Sequence, residues 1–329
     1  MAAMNLSFLR QVWTQLIRPY WTSEDKWMAF LFLSGHLFLM GLFIYITVKL
    51  NYLNNDIFTA LQELNFEAFL KFLGITSIYA FFAIVCFTTK HYLLQHLQIR
   101  WRQWTTDHFV NAWMDNKRYY SLQLEGDGTD NPDQRISEDT RSFINTTLGL
   151  TLGLFQQLIT LFSFLGILWH LSGTLSLPLG DYVISVPGYM CWIAFIYAGI
   201  GTLVSMYFGR NLIHLSYENE KKEANYRYSL VRFRENVEGI ALYKGEAQEK
   251  NVLNSRFGHI LDNFYSIIKR MVIMNSWNSL YDQFKHLFPF LLAAPRYFAG
   301  GMTLGGLTQT MTAFNQVSFS LSFIVYRTL

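Results

Sequence analysis

The sequence predicts an all-α, polytopic membrane protein with six transmembrane helices. Of its 329 residues, 51% are hydrophobic and 15% are charged, whereas a soluble domain usually carries about 25% charged residues. Six long apolar runs follow one another along the chain, and two long polar stretches separate some of them. The net charge of +3 is small and gives no reason to expect nucleic acid as a partner.

Residues 1–27 are predicted to form a cytoplasmic amphipathic segment that lies on the membrane surface. No apolar run follows closely behind a basic start, so the pattern is not that of a cleavable signal peptide. Aromatic and apolar residues are mixed with basic ones, which is typical of an interfacial helix. The aromatic and apolar residues are Trp13, Ile17, Tyr20, Trp21 and Trp27, and the basic residues are Arg10, Arg18 and Lys26.

The six apolar runs are each long enough to cross a bilayer, for which about 20 residues are needed. The predicted spans are 28–48, 72–89, 144–171, 186–208, 271–294 and 299–326. The fifth run is the least regular, because Asp282 and Lys285 interrupt it. Short connections are expected at 49–70, 172–187 and 295–301, and residues 327–329 end the chain.

The two long polar stretches, 90–141 and 210–270, are predicted to be cytoplasmic helical extensions. Lysine and arginine concentrate in them and in residues 1–27, and Lys90 is counted among these charges. Positive residues mark the cytoplasmic side of a membrane protein. Both ends of the chain and both extensions are therefore expected on the cytoplasmic side.

The first extension contains a turn that starts a helix. Asn131-Pro132 favours a non-helical residue followed by a fixed φ. Carboxylates then occupy the first helical turns, where they suit the positive end of the helix dipole. A short helix held at the end of two membrane helices could press on a partner protein. A solvated turn before a helix explains the same residues.

These residues carry a resemblance. The string from Asp130 to Ile136, with Glu138-Asp139 behind it, resembles the signature of one group of ABC transporter membrane domains. The group comprises bacterial YddA-like and SbmA/BacA-like transporters and peroxisomal fatty-acyl half-transporters. The resemblance implies that this segment helps to couple the membrane helices to an ATPase domain.

The second extension carries a further resemblance. Glu223 to Arg227 and Arg234 to Glu246 are similar to the EAA-like region of the same family. Six helices with long cytoplasmic loops after the second and fourth have the layout of an ABC exporter-type membrane domain, expected at 28–326 and acting as a homodimer. The coupling residues that the resemblance implies are Asn131, Pro132, Asp133, Gln134, Arg135, Glu138, Asp139, Glu223, Ala224, Glu235, Glu238, Gly245 and Glu246.

The sequence contains no Gly-Lys pair and therefore no GxxxxGK[ST] loop to hold nucleotide phosphates. We expect that the chain does not hydrolyse ATP by itself, and that ATP and Mg²⁺ bind a nucleotide-binding domain outside these residues. That domain would belong to a longer gene product or be supplied in trans. No catalytic or metal-binding residue is predicted, and Cys86 and Cys191 are expected to be buried small side chains.

Two alternatives stay open. The first is a proton-coupled importer of peptides or hydrophilic solutes, as the resemblance to SbmA/BacA-like members implies. Its candidate residues are Asp282, Lys285 and His286, because ionisable groups inside spans are often functional. His36 and His170 are expected to be interior or interfacial side chains. The second alternative is a truncated, non-transporting remnant.

A solute pathway is expected along polar side chains within the spans, since such groups face protein or water and not lipid. The candidates are Gln156, Gln157, Asn315 and Gln316, together with Asn145 and Gln309. Glycines such as Gly301 and Gly305 are expected to allow close helix contact. The resemblance implies a peptide, vitamin-like or fatty-acyl solute and a place in the bacterial inner membrane.

Overall fold

The computed structural model describes residues 6–125, 132–179 and 182–328. These residues form two compact units. Unit 1 consists of the described residues through Ile167 together with Arg296–Ala313. Unit 2 consists of Leu168–Pro295 and the described residues from Phe314 onward.

The described chain is almost entirely helical, as predicted. Its α-helices are α1 Leu6–Val12, α2 Arg18–Trp21, α3 Lys26–Gln62, α4 Phe66–Met114, α5 Arg118–Glu125, α6 Pro132–Gln134, α7 Thr140–Ser172, α8 Tyr189–Glu235, α9 Val237–Tyr243, α10 Glu246–Phe298 and α11 Leu304–Thr328. Short segments of other helical types lie at Trp13–Ile17, Asp115–Lys117 and Arg135–Asp139. One antiparallel hairpin joins β1 Thr174–Leu179 to β2 Tyr182–Pro187.

Four helical segments of the described chain are long and apolar enough to cross a membrane. They are Lys26–Gln62, Phe66–Leu122, Pro132–Ser172 and Tyr189–Glu235. They contain the first four predicted spans, except that the fourth helix begins at Tyr189 and not at residue 186. The fifth predicted span falls in α10, and the sixth falls in α11 except for residues 299–303. Neither helix is among the four above, so these two spans stay predictions.

The connection predicted at 49–70 is mostly helical. α3 continues unbroken to Gln62, and the turn that follows has Leu64 in the left-handed region with a φ of 55°. Asn65 then caps α4, since its Oδ1 accepts a hydrogen bond from the backbone N–H of Ala68 at 3.0 Å. The connection expected at 295–301 is likewise partly helical, because α10 continues through Pro295 to Phe298. The observed connection covers residues 299–303 and ends where α11 begins.

An aromatic core in unit 1 fixes the N-terminal segment against α4. Tyr20 is fully buried and stacks on Trp101, with ring centroids 5.4 Å apart and planes at 6°. Arg100 on the preceding position of α4 forms an ion pair with Asp25 at 2.7 Å. Burial raises the pKa of the Tyr20 hydroxyl to about 12, so this group is a neutral donor at physiological pH.

The first part of α11 packs closely on α3 within unit 1. A Cβ atom on Gly305 would lie 2.0 Å from the carbonyl oxygen of Asn55, so only glycine fits there without movement. Along the same contact, Thr59 donates to Thr303 at 3.1 Å and Gln62 accepts from the N–H of Leu304 at 2.6 Å. The predicted close approach at Gly305 is confirmed.

Unit 2 begins with the hairpin, which the sequence analysis treated only as a turn. Thr174 pairs with Pro187 and Leu179 pairs with Tyr182 at the two ends of the register. Gly188 follows with a φ of +63°, and a Cβ atom there would lie 2.4 Å from the ring of Trp169. The glycine therefore provides both the left-handed backbone and the space for the indole.

α8 and α10 pack through a second close glycine contact. A Cβ atom on Gly201 would lie 2.3 Å from the Tyr281 ring. Tyr197 stacks on the same ring at 4.5 Å and donates its hydroxyl proton to the Tyr281 carbonyl oxygen at 2.6 Å. These contacts hold together the two longest helices of unit 2, which carry the second extension.

Candidate functional site

The first predicted coupling segment begins the third membrane helix. Asn131 lies outside the described residues. Pro132 is the first residue of a helical run that continues without a break to Ser172, in agreement with the expected start at proline. The short helix expected after Pro132 forms the first part of this run, because α6, the segment Arg135–Asp139 and α7 join end to end.

The segment Arg135–Asp139 is wound as a π-helix, which widens the turn. Arg135 and Asp139 form an ion pair across it, and the hydroxyl of Thr140 donates to the Arg135 carbonyl oxygen at 3.1 Å. Such insertions are rare in helices and frequent at functional sites. The side chains of Asp133, Gln134 and Glu138 point to the surface, where they are free to contact another protein.

A kink before this motif presents a small aromatic surface. Asn116 and Lys117 have φ values of 50° and 55°, which end α4 and turn the chain into α5. Tyr119, Tyr120 and Leu122 on α5 are 48%, 57% and 52% exposed. Large exposed apolar side chains on a polar extension are typical of a contact surface for a partner.

The second predicted coupling segment is built around α9, a seven-residue helix between two very long ones. α8 ends at Glu235, where the Asn236 side chain donates to the Arg232 carbonyl oxygen at 2.8 Å. Lys244, with a φ of 51°, ends α9 in the left-handed conformation, and α10 begins at Glu246. The chain therefore reverses direction at α9.

Three apolar side chains of α9 are exposed. Val237 is 50% exposed, Leu242 is 76% exposed and Tyr243 is 90% exposed. We call Val237, Leu242 and Tyr243 the tip surface. The residues predicted for coupling are mostly their charged neighbours and do not include these three, although apolar residues inside a strongly charged stretch are a usable signal.

The residues predicted for coupling lie at different distances along the chain from the tip surface. Glu223 and Ala224 lie on α8 about three turns before its end, and Glu235 is its final residue. Glu238 is in the first turn of α9. Gly245 and Glu246 join α9 to α10, with the N–H of Gly245 donating to the Ile240 carbonyl oxygen at 2.9 Å.

Within unit 2, the two charges of the fifth predicted span pair with each other. Lys285 Nζ lies 2.7 Å from Asp282 Oδ1, and the lysine side chain is 12% exposed. The pair is one turn apart on α10, as its i, i+3 spacing predicts. Its two members therefore neutralise each other and leave no isolated charge at this point.

His286 contacts a second predicted pathway residue. Its Nδ1 lies 3.0 Å from Nδ2 of Asn315 on α11. The two side chains therefore link α10 to α11 within unit 2. Gln316, the next residue, is half-buried.

Unit 1 contains a buried lysine that the sequence analysis placed among loop charges. Lys90 is only 3% exposed, and its Nζ donates to Oε1 of Gln156 at 2.9 Å. The ammonium also lies over the rings of Phe43 and Phe87, at 4.7 and 5.6 Å from their centroids. α4 continues straight through position 90, so its helical phase turns Lys90 inward.

The same contact region includes His36, whose Nδ1–H donates to the Lys90 carbonyl oxygen at 2.8 Å. The expectation of a hydrogen-bonded interior histidine is confirmed for His36, whereas His170 is exposed. Gln157 lies beside Gln156 on α7 and is half-buried, and Asn145 is exposed on the same helix.

Two further buried amides in unit 1 lie on facing helices. Asn51 and Gln309 are 4% and 1% exposed. Each lies one helical turn beyond the close contact of Asn55 with Gly305. Both Asn51 side-chain atoms and Nε2 of Gln309 have no hydrogen-bond partner among the described residues. Buried amides of this kind are candidates for contact with water or a polar solute.

Comparison with known proteins identifies the chain's relatives. Residues 16–298 match the family model of ABC transporter transmembrane region 2. An uncharacterized ABC transporter ATP-binding protein of Haemophilus influenzae is 37% identical over 87% of this chain and 49% of the relative. The inner membrane ABC transporter ATP-binding protein YddA of Escherichia coli is 32% identical over 95% of this chain and 56% of the relative.

A plant protein shows the same similarity. The chloroplastic ABC transporter D family member 2 of Arabidopsis thaliana is 32% identical over 98% of this chain and 44% of the relative. The chain thus spans about half the length of the curated relatives it matches. With its membrane-crossing helices, it belongs to the ABC transporter family and carries that family's transmembrane region 2.

Proposed function

We propose that the chain is the membrane half of an ATP-driven transporter that moves a solute across the bacterial inner membrane by alternating access. Family membership supports ABC-type transport by an integral membrane protein. The proposal that an ATPase domain docks on this chain and drives transport rests on the tip surface. This surface presents apolar side chains at the end of a long polar extension. The solute belongs to the peptide, vitamin-like or fatty-acyl class.

The extension is suited to transmit motion. α8 and α10 have 47 and 53 residues, so each is about 70–80 Å long at 1.5 Å per residue. α9 is held between them by short, well-defined turns. A displacement of α9 by a bound ATPase domain would therefore be carried along two stiff helices toward the membrane-crossing parts.

The ATPase domain supplies the chemistry in this scheme. ATP and Mg²⁺ bind there, and the complete transporter hydrolyses ATP. This chain contributes the docking surfaces and the pathway, so none of its own residues makes or breaks a covalent bond. Two copies of the chain form a homodimer around one pathway, with both extensions and both chain ends on the cytoplasmic side.

The test is ATPase stimulation. A separately produced ATPase domain of a YddA-type relative is added to the chain in proteoliposomes, and phosphate release is measured. We expect the chain to raise the ATPase rate, and the variants Leu242→Ala and Tyr243→Ala to remove the increase. Exposed hot-spot residues in protein interfaces cost about 2 kcal/mol or more on truncation, which corresponds to at least about 30-fold weaker binding.

Tyr228→Ala is the matched control, because Tyr228 is 66% exposed on α8 and outside the tip surface. It should leave stimulation unchanged. Equal stimulation by all variants, or none by the wild-type chain, would contradict the docking role of α9.

A proton-driven importer is the second candidate. It is favoured by the contact between His286 and Asn315, which places an ionisable side chain of a predicted span against a second predicted pathway residue. In this case a protonophore would abolish solute uptake while ATP depletion would not. His286→Ala and Asp282→Asn would then lower uptake, whereas the tip-surface variants would not.

A further inference from the structure

An apolar groove lies in unit 1 beside the N-terminal segment. It runs between that segment, α3 and α7, and has a volume of about 730 Å³. Ligand sites commonly have volumes of about 300–1,000 Å³. The groove is therefore large enough for an elongated apolar molecule.

The lining is almost wholly apolar. Trp13 and Ile17 come from the N-terminal segment, Leu33 and Leu37 from α3, and Phe155 from α7. None of the described lining side chains is charged, and the polar ones are the small Thr147 and Thr151. A surface of this kind on membrane-crossing helices is suited to an acyl chain and not to a hydrophilic solute.

Basic residues accompany the groove on the same N-terminal segment. Arg10 lies three residues before Trp13, and Arg18 directly follows Ile17. Lys26 begins α3, seven residues before Leu33. Acidic residues of the segment are Glu24 and Asp25, and Asp25 is already paired with Arg100. The segment thus has a positive excess beside an apolar groove.

Two buried donors lie in the same region. The indole N–H of Trp101, one of the lining residues, and the hydroxyl of Tyr20, stacked on it, are buried without a hydrogen-bond partner in the described part of the chain. Buried donors are normally paired. Both atoms are closed off from solvent, so they belong to the aromatic core that forms the floor of the groove.

We propose that the groove holds one anionic glycerophospholipid of the surrounding membrane. Its acyl chain occupies the apolar groove, and its anionic headgroup is attracted by Arg10, Arg18 and Lys26. The lipid anchors the N-terminal segment to α3 and α7. This lipid is a bound component of the protein and not its transported solute.

The test uses native mass spectrometry of the full chain. The protein is delipidated in detergent, titrated with phosphatidylglycerol or phosphatidylcholine, and the number of retained lipids is counted. We expect one tightly retained phosphatidylglycerol. Thr151→Trp, which fills the groove, should abolish retention, whereas Leu150→Trp, on an exposed neighbouring position of α7, should not.

The headgroup is tested separately. Because one basic residue near a membrane surface contributes about 1 kcal/mol to anionic lipid binding, Arg18→Gln should weaken phosphatidylglycerol retention about fivefold. Arg227→Gln, on α8, should not. Retention of phosphatidylcholine should be unchanged in both variants.

Three results would overturn the proposal. Equal retention in Thr151→Trp and Leu150→Trp would exclude the groove as the site. Equal retention of both lipids by the wild-type chain would exclude recognition of the net negative charge of the headgroup. A Thr151→Trp protein with normal lipid retention and a changed oligomeric state would show that the groove receives a second copy of the chain.

Discussion

At the scale of single residues, the contact between Gly305 and Asn55 is the tightest test of how α3 and α11 pack. Gly305→Ala would place a methyl group 2.0 Å from a backbone oxygen, which cannot move without shifting α3. Overpacking of this kind costs about 1–3 kcal/mol. We expect this variant to unfold at a lower temperature than the wild type in detergent. Tryptophan fluorescence during heating measures the unfolding temperature.

Gly306→Ala is the matched control for that variant. Its added Cβ would have its nearest neighbour at 3.5 Å, an ordinary contact. Since alanine favours a helix over glycine by up to about 1 kcal/mol, this variant should be neutral or stabilised. If Gly305→Ala and Gly306→Ala lowered the unfolding temperature equally, α11 would not pack on α3 as described.

The buried Lys90 gives a second prediction at this scale. Gln156→Leu removes the only side-chain acceptor described for its ammonium, and an uncompensated buried charge costs about 3–5 kcal/mol. The unfolding temperature should fall. The double variant Lys90→Met/Gln156→Leu removes both partners and should recover most of the loss.

The control for Gln156→Leu is Asn145→Leu, an exposed position on the same helix. If the double variant is as unstable as Gln156→Leu alone, the hydrogen bond between Lys90 and Gln156 does not explain the lower unfolding temperature. A stable Gln156→Leu protein would contradict the burial of Lys90.

The structural role of a single residue could be predicted from the sequence where that residue type restricts the backbone or the space around it. Pro132 had to begin a helix, and Gly305 could be recognised as a close-contact position. The burial of Lys90 could not be predicted, because a charged residue directly after an apolar run usually marks the end of a membrane span. Only the phase of the continuing helix decides that its side chain points inward to Gln156.

At the scale of elements, the N-terminal segment is held by Tyr20 against α4. The pKa of Tyr20 is raised by burial from 10.0 to about 12, so the folded protein favours the neutral hydroxyl. This contribution to stability is fully present below pH 10 and is lost as the pH rises through 12. The unfolding temperature should therefore fall from pH 10 upward.

Tyr20→Phe should flatten that decline, because the buried ionisable group is gone. At pH 7 the variant should be neutral or slightly stabilised, since the removed hydroxyl has no described partner. Tyr228→Phe, at an exposed position, should behave like the wild type. An identical pH profile for Tyr20→Phe and the wild type would contradict the burial of Tyr20.

Element boundaries were only partly predictable. Helical propensity carries α3 past Lys49 to Gln62, although the composition there becomes polar. The hairpin was missed, yet the alternating runs on either side of Gly180-Asp181 are a recognisable hairpin signal. The sequence marks the second extension by its charged residues, and the apolar residues inside it were a signal that the prediction did not use. The exposure of Val237, Leu242 and Tyr243 is known only from the structure.

At the scale of the whole molecule, the family could be recognised from two short motifs in the right order. The number of spans is harder to predict than the family, because α10 and α11 are not among the described helices that are long and apolar enough to cross a membrane. The polarity of α10 comes in part from Asp282 and Lys285, which form an ion pair with each other.

The most direct test of the central claim is the sidedness of single cysteines. In a background with Cys86→Ala and Cys191→Ala, both of which replace buried cysteines, a membrane-impermeant maleimide is applied to intact cells and to inverted vesicles. The probes are Tyr243→Cys, Leu64→Cys and Phe298→Cys, at positions 90%, 90% and 82% exposed. Six spans with cytoplasmic extensions predict labelling of Tyr243→Cys only in inverted vesicles and of the other two only in intact cells. If Phe298→Cys were labelled from the same side as Tyr243→Cys, the protein would have four spans and not six. If Tyr243→Cys were labelled in intact cells, α9 would lie outside the cell, where a cytoplasmic ATPase domain cannot bind it.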